Sequence, residues 1–486
     1  MSERAAALPS ASSRTNSSRK TRIAALIVAC ALFMQNLDST VISTALPTMA
    51  KAFGADPVHM NVALTSYLLS LAVFIPTSGW MADRFGARTV FRAAIVIFTL
   101  GSILCGRADS LAFLVISRIV QGIGGAMMVP VGRLVLVRTA PKNELVAAMA
   151  WLSMPALIGP VVGPPLGGFI VTYFSWRLIF DINIPIGILG VILVTLFIED
   201  VREPGHSRLD FVGLAFCGVA LAATMFGLET IGRGIVATST TAALLAVGVT
   251  AGAGYFFHSR NHPAPLLDLG LLMIPTFRVS VLAGSLFRIG IGAIPYLLPL
   301  MLQVGFGLTP VQSGTITFVS SAGAIIMKPA AMGTLRRFGF RNTLFYNGVI
   351  SALLLAACAA FRPSWPVFGI YAVLLFGGFL RSLQFTAYNA IAYADIPRQR
   401  ISGATSLYST IQQLSITLGI SAGAAALQIS MALGGVSRPT LLDFSIGFLV
   451  VGLISLLGAP ASLMMPALAG AELSGHPHRA RAGEHS

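Results

Sequence analysis

Charged residues are scarce in this chain. Asp, Glu, Lys and Arg make up 10% of its 486 residues, where soluble domains carry about a quarter. Such a composition excludes a water-soluble globular protein. Cysteine occurs four times, at Cys30, Cys105, Cys217 and Cys358, with neither the density of a disulfide framework nor the spacing of a metal-ligand pair. No G-x-x-x-x-G-K-[ST] run is present, so the chain supplies no phosphate-cradling loop of its own. No nucleophile–base set stands in the apolar runs, and the longest loop, at 258–277, is roughly 20 residues. A membrane-embedded enzyme or receptor is therefore the less favoured class. None of the seven histidines falls in the interior of an apolar run, which argues against a histidine proton relay. His258 and His262 have i,i+4 spacing but flank a loop, and they read as loop residues rather than ligands. No cofactor is implied.

Apolar residues, by contrast, make up 55% of the chain, and mean hydropathy is +0.82. A helix needs about 20 apolar residues to cross the hydrocarbon. Runs of that length recur at roughly 23–46, 59–82, 89–106, 111–137, 144–172, 178–198, 210–232, 236–257, 278–304, 312–335, 341–361, 366–392, 401–431 and 441–463. Barrel strands would be about 10 residues long with alternating polarity, and these runs are neither. The expected fold class is an all-α polytopic membrane protein with fourteen spans.

The formal net charge of +15 invites a nucleic-acid reading, but the positions of the charges give another. With the N-terminus placed in the cytoplasm, 21 of the 32 Lys and Arg fall in cytoplasmic segments and six in outer ones. This is the positive-inside bias. It expects both termini in the cytoplasm and a lipid bilayer, not nucleic acid, as the partner. The predominance of Arg over Lys and the abundant Ala and Gly fit a GC-rich bacterial genome and an inner-membrane location.

A short repeat suggests the organisation. Arg84-Phe85-Gly86-Ala87-Arg88 follows the second run, and Arg337-Phe338-Gly339-Phe340-Arg341 follows the tenth. The spacing predicts two six-helix bundles, 23–198 and 278–463, separated by two inserted helices and a cytoplasmic loop (199–277). Tails at 1–22 and 464–486 are expected to be cytoplasmic, the first of them and the residues after 470 disordered. Repeats of this kind, with a site between the halves at mid-membrane, characterise secondary transporters.

Ionisable residues inside a span cost about 2.5–3.5 kcal/mol on insertion scales and are functional candidates by default. Asp38, in the outer part of the first span, is one, and burial favours its proton-carrying form. Glu229 is another, and it precedes Arg233 by four residues, a spacing that also suits a surface ion pair. Among the cations, Arg133 is near enough to a span end to snorkel. Arg118, Arg288, Lys328 and Arg381 lie deeper. Cations outnumber acids in the spans, which favours an anionic or polar amphiphilic substrate at Arg288, Lys328 and Arg381. Gln384 and Asn389 share a helix face with Arg381, and Tyr296 accompanies Arg288. In the fifth span Gly159, Gly163 and Gly167 form a smooth stripe for close packing. The neighbouring Pro160 and Pro164 remove backbone donors and bend the helix, as expected of a seal between the bundles.

Four stretches together resemble the major facilitator superfamily, and within it the 14-span drug:proton antiporters. They are Leu37-Asp38-Ser39-Thr40-Val41 continuing to Ala45-Leu46-Pro47; Gly79-Trp80-Met81-Ala82-Asp83-Arg84-Phe85-Gly86-Ala87-Arg88; Arg118-Ile119-Val120-Gln121-Gly122; and Gly159-Pro160-Val161-Val162-Gly163-Pro164-Pro165-Leu166-Gly167-Gly168. Trp176, Arg177, Phe180, Asn183, Pro185 and Gly187 fit the same branch. The resemblance implies a major facilitator fold and proton coupling at Asp38 with Arg118. It also implies a cytoplasmic latch at Asp83, Arg84 and Arg88, and an exporter's fifth helix. Arg336 stands where the second copy of the loop would carry an acid, so the latch is expected in the first half only. Some related exporters work with a periplasmic adaptor. The reading is proton-coupled efflux of small molecules by alternating access. A symporter importing an anionic metabolite is the alternative, against which the fifth-span motif argues.

Overall fold

Lipid offers no hydrogen bonds to a backbone, so a chain this apolar must satisfy its peptide groups within each segment. The computed structural model describes residues 11–54, 60–199, 208–230, 237–436 and 438–475, and among these every regular element is helical. The first bundle runs α1 (Ala11–Phe53), α2 (Asn61–Phe74), a 3-10 turn into α3 (Ser78–Phe85), α4 (Ala87–Gly106), α5 (Leu111–Thr139), α6 (Leu145–Tyr173), α7 (Leu178–Asp181) and α8 (Asn183–Phe197). The inserted pair is α9 (Phe211–Thr230) and α10 (Thr238–Asn261). The second bundle comprises α11 (Pro275–Gly292), α12 (Ile294–Leu300), α13 (Pro310–Met327), α14 (Ala331–Ala357), α15 (Val367–Ile391), α16 (Ile401–Leu433) and α17 (Leu441–Ala461), followed by the short α18 (Ala471–Ser474). Large apolar side chains such as Leu196, Val249 and Phe368 stand exposed on the outer faces, where acyl chains replace water as solvent.

Among the described residues, 12 stretches are long and apolar enough to cross a membrane, against the fourteen expected. One of them, Gln312–Ala360, contains both the tenth and eleventh expected spans. Helix α6 overlies the fifth expected span and is not among the 12. The expected disordered tails are corrected in part. Helix α1 starts at Ala11, because the Ser- and Arg-rich segment before Ile23 continues the helix in register. Past residue 463, α18 is held by a Lys142–Glu472 ion pair of 2.7 Å.

The two R-F-G-x-R copies share a backbone feature. Gly86 has φ 87° and Gly339 has φ 72°, a region that L side chains avoid. Each glycine breaks a helix between two arginines, so the motif is a joint as well as a charge cluster.

Within the bundles, α1 packs along α6, α4 along α5, α13 along α15, and α11 against α16 and α17. The bundles meet through α16 against α3 and α5, and through α6 against α13 and α15. The inserted α9 lies against α10, α2 and α16, and Ser421 of α16 donates to the Leu228 carbonyl at 3.0 Å. Asp210 begins α9 as a cap, accepting from the Gly213 N–H at 2.7 Å. Burial pushes its carboxyl up. Hydrogen bonds from Gly213, His258 and Leu266 more than offset this and hold it below the ordinary carboxylate range.

The glycine stripe of α6 faces its own bundle, which corrects its expected place as a seal between bundles. A Cβ on Gly159 would lie 2.9 Å from Asn36 Cβ, and one on Gly163 would lie 2.1 Å from Thr40 Oγ1. Both contacts are with α1, because the stripe exists to bring two helices of one bundle together. Gly163→Val should therefore destabilise the fold by about 1–3 kcal/mol through overpacking. Gly168, whose Cβ would meet nothing within 4 Å, should accept Ala without loss. Thermal unfolding of both variants in detergent checks the contrast.

Candidate functional site

The Asp38 carboxylate sits at the junction of four helices of the first bundle. Arg118 of α5 donates to its Oδ2 at 2.6 Å. Gln121, one turn further along α5, donates to Oδ1 at 2.8 Å, and Asn183 of α8 reaches the same oxygen at 3.0 Å. Ser102 of α4 accepts from Gln121 at 2.7 Å and from Asn183 at 3.1 Å. Arg118 also donates to Gln121 Oε1 at 2.5 Å and to the Ala63 carbonyl of α2 at 3.3 Å. Both ionic side chains are 0% exposed. In this arrangement the charge of Asp38 is balanced and both of its oxygens are occupied.

A cavity of about 1710 Å³ lies between the bundles. It is larger than a typical small-molecule pocket of about 300–1,000 Å³, as a translocation path requires. Lys328, Arg381 and Arg133 line it, and among the described residues no Asp or Glu does. Lys328 donates to Thr386 Oγ1 at 3.0 Å, and Arg381 donates to Ser320 Oγ. Asn389 also lines the cavity. Its amide nitrogen donates to the Phe385 carbonyl at 2.8 Å, and its buried Oδ1 has no partner among the described residues.

Other sequence candidates lie elsewhere. Arg288 is not a cavity-lining residue. It is 1% exposed, donates to the Tyr408 hydroxyl and stacks 4.8 Å from the Tyr408 ring centroid. Gln384 bridges α14 and α15, accepting from Asn347 at 2.7 Å and donating to the Leu344 carbonyl at 2.9 Å. Tyr296 packs against the apolar cluster of the second bundle around Leu297 and Phe448. The side chains of Glu229, Pro160 and Pro164 lie outside the described residues. Gly167 lies in α6.

Arg133 does not snorkel. It is buried and crosses to α16, donating to Ser409 Oγ at 3.3 Å and Gln412 Oε1 at 3.1 Å. Its guanidinium lies 5.2 Å from the Tyr408 ring centroid, so one tyrosine serves an arginine from each bundle. Cation–π contact offsets part of the burial cost of both. No sequence signal separated Arg133 from a snorkelling residue, since its position near a span end fits either account.

The end of the molecule bearing loop 84–92 is closed. Asp83 accepts from Arg138 at 3.0 Å and from Ser402 Oγ of α16, while Ser406 donates to the Pro76 carbonyl at 2.7 Å. Arg88 instead ties α4 to the Thr195 carbonyl of α8, and Arg84 is exposed. Of the three expected latch residues, Asp83 alone has a described bond across the bundles. At the opposite end the cavity lining continues to Gln303 and Ser313, near the facing tips of α12 and α13.

Asp38 is separated from the cavity. Gln35 and Gly125 are lining residues. Behind them the Tyr67 hydroxyl lies 3.0 Å from where a Gly125 Cβ would stand, and the Tyr67 ring lies 4.3 Å from the Arg118 guanidinium carbon. Tyr67 thus forms the wall between the cavity and the ion pair.

A helical membrane protein of two bundles about a central cavity has the architecture of a secondary transporter. The family model of the Major Facilitator Superfamily matches residues 28–420. A protein of Serratia proteamaculans named "Putative multidrug resistance protein MdtD" is 42% identical over 400 residues, covering 81% of this chain and 83% of the relative. Its namesake in Pectobacterium atrosepticum is 40% identical over 395 residues, covering 81% and 84%. Among solved structures, the human organic anion transporter MFSD10 superposes with a TM-score of 0.66 at 13% identity, covering 91% of this chain and 99% of that one. The proton:xylose symporter XylE gives 0.63 at 14% identity, covering 91% and 95%. The chain belongs to the major facilitator superfamily, and it is a multi-pass membrane transporter rather than an enzyme.

The two kinds of buried charge should respond differently to removal. Arg118→Met leaves Asp38 as an unpaired buried carboxylate and should cost about 3–5 kcal/mol. Lys328→Met removes a cation with no acidic partner among the described residues and should leave stability unchanged or raise it. Chemical and thermal unfolding of the two purified variants measures the difference.

Proposed function

We propose that this transporter exports small amphiphilic anions from the bacterial cytoplasm in exchange for protons. The inner membrane is its location, with the basic loops and both termini on the cytoplasmic side. The observation that carries the reading is the separation of charge: among the described residues three cations and no acid line the cavity, while Asp38 is held apart with Arg118. An anionic head group meets Arg133, Lys328 and Arg381 across Ser, Thr, Gln and Asn side chains. The apolar remainder of the wall accepts varied tails. The names of the relatives, as multidrug resistance proteins, support handling of multiple drugs.

In the proposed cycle the observed state faces outward. The Asp83–Ser402 and Ser406–Pro76 contacts shut the cytoplasmic end, and the cavity reaches the opposite tips. A proton arriving from outside passes the Gln35–Tyr67 wall and neutralises Asp38. Arg118 then loses its counter-charge, and α1, α5 and α8 lose their shared tie. That change favours release of the latch on α16 and opening toward the cytoplasm. Anionic cargo entering there accompanies loss of the proton from Asp38, and the cycle returns. The paired contacts α3–α16 and α6–α13 support rocking of two related bundles, because each joins a second-position helix of one bundle to a fifth-position helix of the other.

The test is proton flux in proteoliposomes holding an imposed pH gradient, challenged with anionic, neutral and cationic amphiphiles. Anions should drive proton movement opposite to their own, and Asp38→Asn should abolish it. Lys328→Met should weaken the apparent anion affinity about tenfold, the loss of one charge-assisted bond. A preference for cations, or unchanged exchange in Asp38→Asn, would overturn the reading. Movement of proton and anion in the same direction would identify a symporter.

A further inference from the structure

The inserted helix pair brings together three side chains that the transport cycle does not use. Asp210 is buried at the start of α9, while His258 lies in the last turn of α10 and His262 just beyond it. His258 Nε2 is 2.8 Å from Asp210 Oδ1, and the two imidazole rings lie 5.2 Å apart at an interplanar angle of 33°. One ligand atom from each of the three residues falls within 4.8 Å of the others.

We propose that Asp210, His258 and His262 form a binding site for a divalent transition-metal ion of the zinc type. Two imidazoles and one carboxylate suit a borderline ion such as Zn²⁺, which takes nitrogen and oxygen ligands and fills remaining positions with water. Calcium and magnesium, which require oxygen ligands, do not fit this set. Histidines one helical turn apart present their nitrogens on one face. The carboxylate is already oriented by the Gly213 N–H at 2.7 Å and the Leu266 N–H at 3.3 Å, the outer-sphere support that metal ligands commonly have. The ion takes the place of the His258–Asp210 hydrogen bond. If His262 binds through Nδ1, it also displaces the 3.2 Å bond from the Ala264 N–H.

The location gives such an ion a structural consequence. Asp210, Ala264 and Leu266 form one side of a cavity of about 120 Å³, and Asp83, Arg84 and Gly403 lie on the other. An ion bound to α9 and the end of α10 clamps the segment that backs the latch loop. The inserted pair then carries an input to the latch, an assignment that does not depend on the substrate or on proton coupling.

The test uses the full chain, purified in detergent without a polyhistidine tag, stripped of metal and titrated with Zn²⁺ by calorimetry and thermal unfolding. His262→Gln removes one ligand and keeps the Asp210 cap with its His258 bond, so folding is preserved. Wild type should bind one equivalent that His262→Gln loses or binds at least about tenfold more weakly, and only wild type should gain thermal stability from it. The double variant His476→Gln/His478→Gln, in the C-terminal tail, should retain that equivalent. Identical binding by wild type and His262→Gln, no binding at all, or loss of the equivalent in the tail variant would overturn the proposal and leave the cluster as a helix cap.

Discussion

The Asp38–Arg118 bond is the constraint around which the first bundle is arranged. A carboxylate at this depth has no water to hydrate it, so the protein must supply every partner. Arg118, Gln121 and Asn183 supply them from α5 and α8, and Ser102 of α4 holds the two amides in place. The requirement fixes the rotation of α1, α4, α5 and α8 about their axes. It also keeps the pair out of the cavity, because an open polar face would let water replace the protein donors. Tyr67 is placed to keep that face closed, with its ring against the guanidinium and its hydroxyl toward Gly125.

The contacts between the bundles are of another kind. Along α16, Ser402, Ser406, Ser409 and Gln412 turn to the first bundle at near-helical intervals. They meet Asp83, the Pro76 carbonyl and Arg133 in turn. Each such bond contributes about 1 kcal/mol net, so the set holds one state without locking it. A ladder of strong ion pairs would resist the rocking of the proposed cycle. The cations in the same region are stabilised by aromatic rings and hydroxyls. Tyr408 serves Arg133 from one side of the interface and Arg288 from the other. Aromatic and hydroxyl partners are weaker than a carboxylate and leave a guanidinium able to exchange them for an anionic ligand.

Close packing and movement are divided between the faces of α6. Gly159 and Gly163 press it onto α1, while it also packs against α13 and α15 of the second bundle. A glycine-smoothed contact maximises dispersion between two helices and suits parts that move together. The α16 contact between the bundles carries small polar groups instead.

Sequence alone determined the membrane, the helices, the basic end and the presence of a carboxylate, Asp38, inside the first span, because hydropathy and charge are properties of single residues and short windows. The four motifs likewise identified the family, and the two R-F-G-x-R copies identified equivalent joints. Partnerships across helices were decided by the tertiary structure. Arg133 near a span end reads as a snorkelling cation until α16 is placed beside it. Gln384 and Arg288 read as cavity residues until helix rotation turns them to Asn347 and Tyr408. His258 and His262 read as loop residues until Asp210, far back in the chain, is brought to within hydrogen-bonding distance of His258. A side chain's polarity is written in the sequence. What it faces depends on how each long helix is rotated, and that is settled by the packing of all its neighbours together.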